Sequence, residues 1–277
     1  MLPAALDPVP GRALAAPPAT AEPNRIDIAY LPPADPRQAA LHELLTSRRV
    51  LEKLQAFLAP FRLPARVVLK VQDCDGTANA YSGEGTVTVC YEYLDEVWRN
   101  VPVETTPEGV APVDALVGPM VDVFFHEFAH VLFALLEVPV LGREEDAADQ
   151  LSAYLMLHFG PAEARRLIAG SAYQFKPDLK PELKLQLKEF SNSHGIAAQR
   201  FYNLLCIAFG AKPDLFNDLV TGGHLPLERA IGCEDEYRAL AYAFETLIGP
   251  HIDDAMAKEV MARQWLPDGT TKPPPRP

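Results

Sequence analysis

Basic residues are scarce in this chain: 25 lysines and arginines stand against 37 aspartates and glutamates in 277 residues, a formal net charge of −12. A general binder of phosphate backbones needs a basic face, so nucleic acid is excluded as the partner. No apolar run approaches the roughly 18–20 residues of a membrane span, so none is expected. No glycine-rich phosphate loop appears, which makes a nuclease or phosphohydrolase a poor reading. None of the four cysteines falls in a C-x-x-C pair, which argues against a cysteine zinc knuckle. No segment repeats.

What is present describes a globular chain. Hydrophobic residues make up 48% and charged residues 22%, enough for a proper core. The 27 prolines crowd towards the ends. Residues 1–24 read as a Pro/Ala-rich tail with too little apolar surface to offset its ordering entropy, and 266–277 read as a second Pro-rich tail. Residues 25–265 are expected to form a single domain. The first segment lacks the charged start and unbroken apolar stretch of an intact secretory signal, and is compatible with the remnant of one.

Cys74, Cys90, Cys206 and Cys233 allow three pairings. Cys74 and Cys90 lie on what read as neighbouring strands, and Cys206 and Cys233 lie in the helical second half. These two local bridges are the expected pairs, implying an oxidising compartment, periplasmic or secreted. The alternative is four buried free thiols in a cytoplasmic protein.

Ile26–Leu31 reads as a short strand, and Pro36 opens an amphipathic helix carrying Leu41, Leu44, Leu45, Leu51, Leu54 and Leu58. ARVVLKVQDC and TVTVCYEYL read as two strands, with DGTANAYSGEG a turn region between them. The longest apolar helix runs from about Asp114 to Glu137, and nearly everything after Arg143 reads as helix. The fold class is therefore α+β: a small, mainly antiparallel sheet packed on a helical bundle.

Inside the apolar helix stands His126-Glu127-Phe128-Ala129-His130, the pattern H-E-x-x-H. One helical turn separates the histidines, so both imidazoles reach one zinc ion, and Glu127 lies beside them to take a proton from water. Two histidines and a glutamate on a buried helix need a reason, because unpaired polar groups are costly there. The bland alternative is a pair of core histidines bonded to backbone. A zinc site also needs a third ligand and an open corner. The next helix begins Glu144-Glu145-Asp146-Ala147-Ala148-Asp149. Glu145 and Asp149 share one face, so Glu145 is read as the ligand and Asp149 as the acceptor that orients a ligand histidine. Glu144 is the next choice, although an acidic first turn also suits the helix dipole.

H-E-x-x-H followed by E-x-x-A-D resembles the gluzincin metallopeptidases, especially the CaaX prenyl protease and heat-shock membrane protease branch. That resemblance implies a zincin-like core. It implies that Asn79, Ala80 and Tyr81 lie on the strand that aligns the peptide. It also implies that His194, with Arg200 six residues on, is the late histidine that stabilises the oxyanion. Gly195-Ile196 stand where that branch has prolines, and its membrane spans are absent here. Across roughly Arg25 to Ala262 the chain more closely resembles a bacterial domain family classed as metallopeptidases of unknown function. NAYSGEGTVTVCYEYL, HEFAHVLFALLEVPVLGREEDAADQ and QRFYNLLCIAFGA carry this likeness.

The expected chemistry is zinc-dependent hydrolysis of a peptide or protein substrate, with Zn2+ held by His126, His130 and Glu145 and Glu127 as general base. Arg200 orients His194 or binds substrate, and Tyr202 is a weaker candidate donor. Asn79, Ala80 and Tyr81 pair with an extended peptide. His42, His158, His224 and His251 are assigned no chemistry. The rival reading is a catalytically silent zinc-binding module used for protein interaction. A metal-free structural protein whose tails dock a partner is a further rival. Neither oligomeric state nor cleavage preference is set by these motifs.

Overall fold

The computed structural model of the chain describes residues 25–175 and 190–269. The N-terminal tail expected at 1–24, the break expected at Lys176-Pro177 and the chain beyond 269 lie outside the described residues.

Strand β1 (Ile26–Tyr30) leads through a 3-10 turn (Pro36–Gln38) to α1 (Ala39–Ser47) and α2 (Val50–Leu58). The single helix expected here is two, because Arg49 takes a left-handed φ of 54°. That turn lets Leu41 and Leu45 on one helix and Leu51, Leu54 and Leu58 on the other all enter the core. Next come β2 (Val67–Gln72), β3 (Ala80–Gly83) and β4 (Thr86–Cys90).

Two expectations change at this point. The segment read as a turn contains β3, which forms a tight hairpin with β4 through Glu84 and Gly85, both at positive φ. TVTVCYEYL is strand only to Cys90. Tyr91–Arg99 is helix α3, which buries Tyr91, Leu94, Val97 and Trp98 at helical spacing.

The strand order is β1-β2-β4-β3. β1 pairs parallel with β2, β2 parallel with β4, and only β3 runs antiparallel to β4. The sheet is therefore mixed, not mainly antiparallel as expected. Helices α1 and α2 return the chain to the start of the sheet before β2 begins, which makes that connection a parallel crossover.

Behind the sheet lie α4 (Pro112–Leu135), α5 (Glu144–Met156), α6 (Pro161–Phe175) and α7 (Ala197–Ala211). They are followed by α8 (Pro213–Thr221), α9 (Leu227–Ala230), α10 (Cys233–Leu247) and α11 (Asp254–Met261). The α+β class stands. Contrary to the expectation of no span-like segment, the 24-residue α4 is long and apolar enough by length and composition to cross a membrane. Its span-length window is 83% buried inside the fold. Ionisable side chains interrupt its apolar run, so no unbroken stretch announced it.

Helices α4 and α6 cross at Gly118 and Gly170, where an added Cβ at Gly170 would lie 2.0 Å from the Asp114 carbonyl oxygen. Only glycine permits that approach. Disulfides join Cys74 to Cys90 and Cys206 to Cys233, the two local pairs. They tie the β2 exit to the end of β4, and α7 to α10, and they point to an oxidising environment. Near the C-terminal end of the described residues the Trp265 and Leu266 N–H groups both donate to Glu163 on α6.

Candidate metal centre

Helix α4 starts with Pro112 at its first turn and buries apolar side chains on nearly every side. His126 (4% exposed) and Glu127 (8%) lie inside this wall, and His130 is partly buried one turn on. The helix stops where Glu137 turns left-handed, and Gly142 at φ 100° swings the chain back into α5. Glu145 and Asp149, one turn apart on α5, thus face the histidines of α4.

The result is a tight convergence. The Nε2 atoms of His126 and His130 are 3.3 Å apart. Glu145 Oε2 lies 3.1 Å from the first and 3.3 Å from the second. Among the described residues these three form a group able to hold a metal ion, with ligand atoms within 4.8 Å of one another. Donors about 2.0–2.1 Å from a tetrahedral ion stand about 3.3–3.4 Å apart, so the observed edges match such a site. Two imidazoles and one carboxylate are a donor set that zinc accepts, with one corner left open.

Both rings are oriented from behind. His126 Nδ1 lies 2.8 Å from Asp149 Oδ1, and His130 Nδ1 lies 2.7 Å from Glu144 Oε1. A carboxylate only accepts, so each Nδ1 carries its proton and each Nε2 points at the common centre. The sequence reading makes Glu144 a spare ligand or a dipole charge and misses this role. No local signal joins it to a histidine 14 residues earlier. Arg200 grips Asp149 with two hydrogen bonds, Nε to Oδ2 at 2.8 Å and Nη2 to Oδ1 at 2.7 Å. Its guanidinium also stacks over the Phe175 ring, 4.9 Å from the centroid. It therefore supports Asp149, and its charge also acts on His194.

His194 arrives from the loop before α7. Its Nε2 is 2.8 Å from Glu145 Oε2, and its ring stacks on His126 with centroids 5.6 Å apart. Tyr202 packs edge-on against Phe201 instead of joining the group. β3 packs against α4, and the Ser82 hydroxyl lies close enough to Glu127 to favour its charged form, a contact the sequence reading did not foresee. Asn79 immediately precedes β3, and its carbonyl accepts from the Cys90 N–H. Ala80 and Tyr81 begin the strand, with Tyr81 exposed and its hydroxyl bonded to Gln72. One turn before His126, the buried Asp122 accepts from Ser152 and Ser171 and so satisfies a second acid within the helix. Of the other histidines, His42 contacts the Tyr91 hydroxyl and His158 the Tyr154 carbonyl.

The charges follow from these contacts. Burial opposes the cationic form of His126, but hydrogen bonds to Asp149 and Glu145 outweigh it and lift the pKa to about 9. Glu145 is held down to about 2, first by its hydrogen bond with His126 and then by the surrounding imidazoles. Burial works to raise Asp149, and His126 and Arg200 overcome it, leaving about 2. Burial pushes Glu127 above the ordinary carboxylate range and His194 below the ordinary imidazole range.

A family described as "Putative metallopeptidase" matches residues 30–248. No curated protein matches the chain, and no solved structure matches it. The family match takes in both helices of the metal centre, β3 and the His194 loop, and by it this chain belongs to that metallopeptidase family.

Proposed function

We propose that this protein is a zinc-dependent metallopeptidase of the gluzincin type, with a zincin-like core. The observation that carries the reading is the triangle of His126 Nε2, His130 Nε2 and Glu145 Oε2, with edges of 3.1–3.3 Å beside the buried Glu127. A zinc ion held by those three groups would supply Lewis acidity, making water acidic and the peptide carbonyl electrophilic.

The remaining work falls to this chain's own side chains. Glu127, made more basic by burial, takes a proton from the attacking water and returns it to the leaving amine. Ser82 on β3 stands beside the carboxylate and favours its charged form. His194 Nε2 lies 2.8 Å from Glu145 Oε2, within reach of the centre, where its N–H can turn to the oxygen that becomes negative. Arg200 holds Asp149, and Asp149 with Glu144 keeps both ligand rings aimed. Among the described residues β3 is an edge strand, so a substrate peptide can add to it along Asn79, Ala80 and Tyr81. The disulfides favour a periplasmic or secreted setting.

The zinc module without turnover is the lesser reading. A purely structural site uses four protein ligands, whereas here three converge beside a buried base. Replacing Glu127 by Gln in zinc-loaded protein separates the two. Cleavage of an unstructured protein should fall about 10²–10⁴-fold while zinc content by elemental analysis stays the same. Equal cleavage by the Glu127→Gln protein would overturn the mechanism.

A further inference from the structure

A second feature stands at the corner between α1 and α2, and no residue of the metal centre lines it. There the two helices, the first half of α4 and residues 265–267 enclose a cavity of 140 Å³. Protein interiors leave few voids larger than a water molecule, so an apolar space of this size needs walls that resist collapse. The C-terminal wall is fixed in that way. The Trp265 and Leu266 N–H groups donate to Glu163, itself only 8% exposed, and Trp265 Nε1 donates to the Val260 carbonyl.

The lining has one polar end. Of its sixteen residues fourteen are apolar, and the two charged ones, Arg48 and Lys53, are both cations. They are also the exposed members of the lining, which sets the mouth of the cavity beside them. In a chain of net charge −12, neither forms an ion pair among the described residues. The neighbouring Arg49 is the one that pairs with Glu52. Lys53 stands at the start of α2, where the helix dipole disfavours a cation, so its own helix gives no reason for it.

An apolar slot with two unpaired cations at its mouth complements an amphiphile with an anionic head. Size narrows the class. An apolar cavity of about 150 Å³ takes a benzene, so about six carbons fit here: one short chain, not the two tails of a membrane lipid. We propose that this cavity binds a single medium-chain fatty acid, its carboxylate between Arg48 and Lys53 and its chain running inward beside Met120 and Trp265. The site is independent of the peptidase reading.

The test is titration calorimetry on the full chain with straight-chain acids and with octanol and octylamine. Each methylene taken out of water is worth about fourfold in affinity. Binding should therefore tighten about fifteenfold from hexanoate to octanoate, then gain little to dodecanoate, whose added carbons find no room. Octanoate should bind once per chain and at least fivefold more tightly than octanol or octylamine at low salt, and salt should erode the difference. The double substitution Arg48→Gln, Lys53→Gln, at exposed positions without ion pairs, should remove that preference and leave octanol binding unchanged.

Val117→Phe, which fills the slot from α4, should weaken octanoate at least tenfold. A probe that alters no residue covers the case in which that protein is unstable: ω-bromo-octanoate should quench Trp265 fluorescence, and the quenching should vanish in Trp265→Phe. No saturable octanoate binding, several molecules bound per chain, or equal affinity for octanol overturns the proposal. So does a preference that survives the double substitution, or quenching that persists without Trp265.

Discussion

Replacing Asp149 by Asn tests whether the acid behind His126 maintains the metal centre. Asp149 Oδ1 accepts from His126 Nδ1 at 2.8 Å and from Arg200 Nη2 at 2.7 Å, and Oδ2 accepts from Arg200 Nε at 2.8 Å. Asn offers one acceptor and one NH2 group, so a donor must face a donor at one of these partners. Keeping the oxygen on His126 and Arg200 Nη2 sets the NH2 against Arg200 Nε. The lost charge has a measurable worth. The Asp149 carboxyl lies at about 2 against an ordinary 3.8. A depressed carboxyl contributes stability above its unfolded pKa and loses it as pH falls through the folded value. At about 1.4 kcal/mol per unit, the contribution at pH 7 is about 2–3 kcal/mol. Arg200 is 25% exposed in its side chain. Stranding a buried charge costs about 3–5 kcal/mol, an upper bracket because Asn keeps part of the bonding.

The expected loss in the metal-free protein is about 3 kcal/mol by urea denaturation at pH 7. It should narrow as pH falls from about 4 to about 2, where the parent loses the same contribution. Zinc affinity, read by competition with a fluorescent chelator, should drop about 10–100-fold as His126 loses its orienting carboxylate. An Asp149→Asn protein of parental stability and undiminished zinc affinity would refute the argument.

Two other outcomes follow from the same contacts. His126 titrates at about 9 in the metal-free site, so at pH 7 its ring is protonated and must lose one proton to free Nε2. Zinc titration calorimetry in buffers of different ionisation enthalpy should therefore report about one proton released per ion at pH 7, with affinity rising towards pH 9 and levelling above it. Heats independent of buffer would contradict this. The disulfides close loops of 16 and 27 residues. Chain entropy assigns them about 3 and about 3.5 kcal/mol, so full reduction should lower unfolding free energy by about 6.5 kcal/mol. A loss below about 1 kcal/mol under reductant would show that these bridges add little.

The order of the ligands along the chain was legible because it is local. Helical periodicity alone brings His126 and His130 to one side of α4, and Glu145 and Asp149 to one side of α5. The two cysteine pairs were legible for a similar reason: each joins neighbours in the folding order. Contacts made across long separations were not. Glu144 behind His130 and Arg200 on Asp149, and the nearness of Ser82 to Glu127, depend on how helices cross and where an edge strand passes.

The parallel pairing of β1, β2 and β4 was hidden too, since alternation along a strand tells which face is buried and not which neighbour supplies the hydrogen bonds. The same holds for β3, whose Gly-bearing hairpin reads as a turn until its partner is known. Sequence by itself determined the chemistry that α4 and α5 can carry, because side-chain direction repeats with the helix. Only the tertiary structure decided that the two helices meet at hydrogen-bond distance and that the α1–α2 corner and α4 enclose an apolar cavity with two cations at its mouth. Those outcomes come from core packing, which no short stretch of residues encodes.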